Sequence, residues 1–236
     1  AFKYKATYLP VFLYVFVDIL LSPSHLIEHI YLESILQYDS WHIIYTNLMS
    51  FAGIVAEAIF TYFYFAKGKH SYKSTFMIGF GAIVSHLAVM YFQIDYHISQ
   101  STLFVPLFLR NFGYVVVAAV LLTYLTRVPF HHFFQALTVQ AFISAACGSA
   151  LGGAFIHHLF SRTITENFQL LSANFDHVNM RLMEISPSLL AGLIQPHVLL
   201  VTFKEIYGVL LWIGLGCLAV FLFYKYPRLS SSKVND

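Results

Sequence analysis

The sequence predicts an all-α polytopic membrane protein: a six-transmembrane-helix bundle with an outer amphipathic segment between the fifth and sixth spans. Three observations predict it. Six apolar runs recur along the chain, each of about 17 residues or more, the length a bilayer crossing needs. The loops between them carry their positive charge almost wholly on one face. The 236 residues are 58% hydrophobic and 10% charged, against about 25% charged in a soluble globular domain.

The runs are roughly Tyr8–Leu26, Trp41–Ala66, Thr75–Phe92, Ser101–Thr126, Phe133–Phe160 and Leu199–Tyr224. Backbone polar groups in lipid must bond internally, so apolar runs of this kind are helices. A membrane barrel would show segments of about ten residues with alternating polarity, which the chain lacks. One set of loops collects Lys3, Lys5, Lys67, Lys69, Lys73, Arg127, Lys225, Arg228 and Lys233; the other collects Arg162, Arg181 and Lys204. That bias predicts a multi-pass protein of the cell (inner or plasma) membrane with both termini cytoplasmic. The outer face gathers the acids, among them Glu28, Glu33, Asp39 and Asp95.

No Pro/Gly/Ser linker or soluble domain interrupts the runs, so residues 1–236 read as one bundle. The short connections Lys67–Ser74 and Arg127–His132 make their flanking helices antiparallel neighbours. The connection Ser161–Val198 is longer. Within it Phe168, Leu171, Phe175, Val178, Leu182 and Ile185 recur at steps of three and four, with Glu166, Asp176, Arg181 and Glu184 between them. This predicts an amphipathic helix over 163–186 that extends the fifth span outward or lies along the outer surface, until Pro187 and Pro196 break it. A coiled-coil seam is the rival reading, and six anchors are too few for one.

The net charge of +2 follows from the loops and indicates no nucleic-acid partner. Cys147 and Cys217 fall inside spans, where a disulfide framework is not expected. No secretory signal with a small-residue cleavage site is visible. The chain starts without Met, which leaves open whether it is a fragment or a processed piece.

Four ionisable residues fall within the spans: Asp18, Glu57, His86 and Arg110. At about 1.5 Å per residue, Asp18, His86 and Arg110 lie roughly 14–17 Å deep, close to the midplane, with Glu57 a little nearer the cytoplasm. Each costs about 2.5–3.5 kcal/mol at the bilayer centre, so such residues face a bundle interior or a wet cavity. Three such groups at one depth on three helices predict a polar cavity that binds a substrate or passes a proton. A structural ion pair, such as Arg110 with Asp18, is the plainer alternative. Arg110 keeps its proton and needs an anion. With Asp18 and Glu57 for one Arg, one acid is left to titrate. His86 also fits a hydrogen-bonded packing residue.

Gly148 and Gly152, four apart in Gly148-Ser149-Ala150-Leu151-Gly152-Gly153, predict close helix packing in the fifth span, with Gly153 beside them. The 12 histidines include an HxxxH step, His25 and His29, and the pairs His131-His132 and His157-His158. The predicted layout divides them between opposite membrane faces, about 30 Å apart, so no common metal centre and no cofactor are expected. His25, Glu28 and His29 read as polar residues of the outer interface, or as a weak outer metal or proton site. Trp41 and Trp212 are candidate interface anchors.

The order of these features resembles the C-terminal six-helix half of a major facilitator superfamily transporter, especially the fourteen-span drug:proton antiporter group. Phe2-Lys3-Tyr4-Lys5 resembles that group's basic-aromatic lead-in to the corresponding helix. Leu36-Gln37-Tyr38-Asp39-Ser40 resembles its short outer segment. Phe108-Leu109-Arg110-Asn111-Phe112-Gly113-Tyr114 is similar to the Leu-Arg-Gly-x-Gly stretch, with Asn111 where the family has Gly. The run Ser144–Gly153 and the segment His157–Leu171 are similar to its penultimate helix and outer extension. The basic loop Lys67-Gly68-Lys69-His70-Ser71-Tyr72-Lys73 stands where the superfamily has a Gly-x-x-x-Asp-Arg latch, and it has no Asp. The resemblance implies secondary active transport, with proton-coupled efflux of small, largely apolar compounds. It also implies a missing N-terminal half or a second copy as partner, and no enzymatic activity. Arg110 would organise the cavity, and Asp18 or Glu57 would carry the proton. A non-catalytic membrane scaffold is the first alternative, and a His-rich membrane metalloenzyme the second.

Overall fold

The computed structural model describes residues 5–66, 72–126, 128–173 and 187–223. The basic loop at 67–71, both charged termini and residues 174–186 lie outside the described residues. Among the described residues there are eight α-helices: α1 (Lys5–Leu21), α2 (Pro23–Ile30), α3 (Ser40–Ala66), α4 (Tyr72–Gln93), α5 (Gln100–Leu125), α6 (Phe130–Ile143), α7 (Ser149–Ala173) and α8 (Pro187–Phe223). No strand occurs among the described residues. Wide π-turns follow α2, at Tyr31–Ile35, and α6, at Ser144–Gly148. The first extends α2, which α1 reaches through helical Ser22, and the second joins α6 with α7 into a continuous run. Among the described residues, 6 segments are long and apolar enough to cross a membrane. The chain is an all-α transmembrane bundle.

The first segment departs from the sequence expectation. It was expected to end near Leu26, and the apolar segment instead continues to Ile35. Pro23 has no N–H to give to the Ile19 carbonyl one turn earlier. The Ser22 hydroxyl donates to that carbonyl instead, at 2.8 Å, and Pro23 opens the next helix where a missing N–H is harmless. The chain passes the proline without leaving the helical region, with Ser22 at φ −58° and ψ −29°. Glu28, expected in an outer loop, is therefore carried into the bundle and buried.

The last segment is also longer than expected. Pro187 begins α8 and Pro196 lies inside it, so neither breaks the helix; membrane helices tolerate interior proline because neighbours re-satisfy the freed carbonyl. The predicted outer helix over 163–186 is described as far as Ala173, where it is the direct continuation of α7. Its buried face is Thr163 and Asn167, while Phe168 is exposed. Of the apolar stripe read from the sequence, Phe168 is exposed and Leu171 half-buried, and Phe175, Val178, Leu182 and Ile185 lie outside the described residues. Asn167 Nδ2 donates to Glu205 Oε2 at 2.9 Å and to Thr202 Oγ1 at 3.2 Å, tying α7 to α8.

The helices pack in a closed circuit. α5 lies on α4, α4 on α8, α8 on α7, α7 on α1, and α1 returns to α5; α3 packs on the outside of α5. Inside run Leu20, Ile27, Tyr31, Phe80, Ile83, Leu87, Phe203 and Tyr207, nearly all fully buried. The two tightest crossings use glycine. A Cβ on Gly113 of α5 would stand 2.5 Å from the Gly79 carbonyl of α4, and one on Gly53 of α3 would stand 2.5 Å from the Phe108 carbonyl of α5. Such contacts let backbones approach without a side chain between them. The large exposed apolar side chains of α3, such as Phe51, Tyr62 and Phe63, are what a lipid-facing surface requires.

Candidate functional site

α5 is the helix on which the site is built. Arg110 sits halfway along it and is held by three elements. Its Nη1 donates to Glu28 Oε2 of α2 in a short, charge-assisted contact. Its Nη2 donates to the Ser50 hydroxyl of α3 at 3.3 Å, and its Nε to Asn111 Oδ1 at 3.3 Å. Asn111 in turn donates to the Ser50 carbonyl at 3.0 Å. Asn111, which replaces the glycine of the resembled motif, is thus a strut between α5 and α3. The close approach expected from that glycine is supplied by Gly113 and Gly53 instead.

His86 of α4 completes the cluster. It is fully buried, and its Nδ1 lies 2.9 Å from the Pro106 carbonyl. A carbonyl only accepts, so Nδ1 carries the hydrogen. Nε2 points at Glu28, 3.8 Å from Oε1. The ring of Tyr207 from α8 meets the imidazole edge to face, with centroids 6.2 Å apart.

On the other side of Arg110 lies a cavity of about 650 Å³, lined by Asp18, Leu26, Arg110, Asn111, Tyr114, Ser144 and His157 among others. Asp18 of α1 accepts a hydrogen bond from Ser144 Oγ at 2.5 Å. The π-turn makes this possible by widening the helix and turning Ser144 inward. Tyr114 and Tyr14 share a hydrogen bond at 2.9 Å beside it. Gly148 seats the acid, because a Cβ there would fall 2.6 Å from Asp18 Oδ2, and Gly152 gives way to Ser22 in the same manner. Gly153 has nothing within 4 Å of its added Cβ and lines the cavity.

The sequence-derived residues therefore part into three places. Asp18 and Arg110 line one cavity. His86 joins Arg110 through Glu28. Glu57 is buried farther along α3, accepts from Thr61 Oγ1 at 2.6 Å, and does not line the cavity. The acid paired with Arg110 is Glu28, in place of the Asp18 pairing that depth alone suggested. Glu28 was missed because the first span was taken to end near Leu26; the signal lay in Ile27, Ile30, Tyr31 and Leu32, apolar residues that continue at helical spacing beyond that point.

No family model, curated protein or solved structure matches the chain. Among the described residues, no three His, Cys, Asp or Glu side chains gather in a group able to hold a metal ion. The cluster is otherwise suited to two tasks. A fixed guanidinium at a cavity wall attracts an anionic or hydrogen-bonding solute. Buried acids beside it exchange protons only through that wall or the helices around it.

Proposed function

We propose that the chain is the C-terminal half of a secondary active transporter, and that it exports small, largely apolar compounds in exchange for protons. One observation carries the reading: Arg110 and Asp18 line a cavity of about 650 Å³ between membrane helices. That volume falls within the range of about 300–1,000 Å³ in which small molecules bind. A charged pair is costly at such depth unless it serves a cavity or a moving interface. The mainly apolar lining, broken by a few hydrogen-bonding groups, suits a compound of low polarity.

Asp18 is the proton carrier in this reading, with Glu57 as the second carrier. Arg110 stands with Asp18 in the cavity wall, and neutralising the acid shifts the inward–outward balance. A partner half, or a second copy, closes the cavity from the open side, as rocking transporters require. The membrane is the inner or plasma membrane, with both termini cytoplasmic.

The test uses full-length protein in proteoliposomes with an imposed pH gradient and a fluorescent lipophilic dye as cargo. Asp18→Asn is expected to abolish gradient-driven movement while leaving dye binding, and Glu57→Gln to weaken it. Full coupled transport in both single variants and in the double variant would sink the proposal. A protein that tolerates Asp18→Leu with Arg110→Met, and moves no dye as wild type, is a membrane scaffold instead.

A further inference from the structure

Beside the cavity, and not lining it, three buried polar atoms have no hydrogen-bond partner among the described residues: Glu28 Oε1, His86 Nε2 and the Tyr207 hydroxyl. Buried polar groups are nearly always bonded, so three orphans on neighbouring side chains mark a missing participant. The chemistry of the pair says what is missing. His86 Nδ1 holds a hydrogen against the Pro106 carbonyl, 2.9 Å away, which leaves Nε2 of a neutral imidazole as an acceptor. Glu28 Oε2 is engaged by Arg110, and an ionised Oε1 is an acceptor too. Two acceptors thus face each other at 3.8 Å with no hydrogen between them.

We propose that Glu28 and His86 form a buried one-proton binding site, in which a single proton taken up between Oε1 and Nε2 joins the two side chains. The proton comes from water and no other bond is made or broken. Either acceptor, once protonated, becomes a donor to the other, so one proton satisfies Glu28 Oε1 and His86 Nε2, two of the three orphans. The contact then closes by roughly 1 Å to a normal hydrogen-bond length. A bridging water is a poorer fit, since two hydrogen bonds through one water span more than 4 Å at ordinary lengths and angles.

The surroundings set the charge. Arg110 faces Glu28 from α5, Tyr207 of α8 meets the His86 ring, and Tyr31 stands one turn along the same segment as Glu28. α3 contributes the uncharged Ser50, through Arg110, and Asp18 of α1 lies beyond Arg110 in the cavity wall. Without the extra proton, Glu28 and Arg110 cancel; with it, Arg110 is the uncompensated charge and its pull is released towards Asp18. Arg110 thus reports the state of the buried site to the cavity. That link to coupling rests on the transport reading; the proton site itself does not.

The test is a pH titration of the full-length protein in lipid nanodiscs, with carboxyl-13C glutamate and ring-15N histidine. Infrared and solid-state nuclear magnetic resonance signals are followed together. In wild type, one glutamate and one histidine are expected to change over the same pH interval. Glu28→Gln should remove both changes, and His86→Gln should move the glutamate midpoint by at least tenfold in proton concentration. A wild-type titration in which no glutamate and histidine share a midpoint overturns the site without reference to any variant. So does a shared midpoint that survives Glu28→Gln, or a fixed pair with an exchangeable water resonance beside it. A joint titration in a protein that moves no dye upholds the site and overturns the transport reading. Undiminished proton-driven transport in Glu28→Gln, with the joint titration seen in wild type, upholds both and removes the coupling between them.

Discussion

Arg110 on α5 and Glu28 on α2 form an ion pair inside the bundle, 82 positions apart in sequence. The pair joins the two halves of the buried polar region: the cavity wall on one side of the guanidinium and the His86 contact on the other. Desolvating two charges is expensive, and their attraction repays it only with good geometry and further hydrogen bonds. Ser50 and Asn111 supply those bonds.

This arrangement makes the pair sensitive to loss of one member. Glu28→Ala or Arg110→Ala alone is expected to cost about 3–5 kcal/mol by stranding a buried charge, whereas Glu28→Leu with Arg110→Met should cost much less than their sum. Denaturant unfolding in detergent, followed by helical circular dichroism, checks this; additive losses would contradict it.

Glycines of similar sequence context should behave in opposite ways. Gly113→Ala places a methyl 2.5 Å from the Gly79 carbonyl, a backbone atom that cannot turn aside. The helices must part, at a cost of about 1–3 kcal/mol. Gly81→Ala meets nothing within 4 Å and should stabilise α4 by up to about 1 kcal/mol. Melting temperatures of the two variants should move in opposite directions.

Gln37 closes the first segment with φ 51°, a left-handed conformation that costs a side-chain-bearing residue about 1–2 kcal/mol. Gln37→Gly should relieve most of it, offset in part by the freer unfolded chain. A modest rise in melting temperature with unchanged helix content is the expected result. Gln37→Val should lower it.

Asp39 caps α3. The His42 backbone N–H donates to its Oδ1 at 3.0 Å, and the His42 ring lies 2.5 Å away. These bonds hold its carboxyl below the usual 3.8. A carboxyl lowered on folding stabilises the folded state above its unfolded value and loses that contribution as pH falls through the folded one. Amide exchange at His42, measured from pH 6 downward, should therefore stay slow until pH drops below about 4. Asp39→Ala should remove the protection, leaving exchange near the unprotected rate at each pH over the same interval.

Asp18 depends on the π-turn that brings Ser144 to it. Ser144→Ala removes that donor and should shift the pH at which dye transport is half-maximal. An unchanged pH profile would argue that Asp18 is not the proton carrier.

The sequence by itself determined the architecture. Six apolar runs, the scarcity of charge and the demand of lipid for internal backbone bonding leave helices as the only solution, and the glycine pair Gly148 and Gly152 marked a real crossing. It also singled out Asp18, His86 and Arg110 as residues too costly to place in lipid. The partner of Arg110 was decided by tertiary structure. The first segment continues past Leu26 to Ile35, and that continuation moved Glu28 from an expected loop into the core. Depth likewise aligned residues along the membrane normal but not around each helix, so Glu57 stands apart while Glu28 and His86 meet. Periodicity is a local property of the chain, whereas the pairing of buried charges depends on which helix faces are turned towards each other.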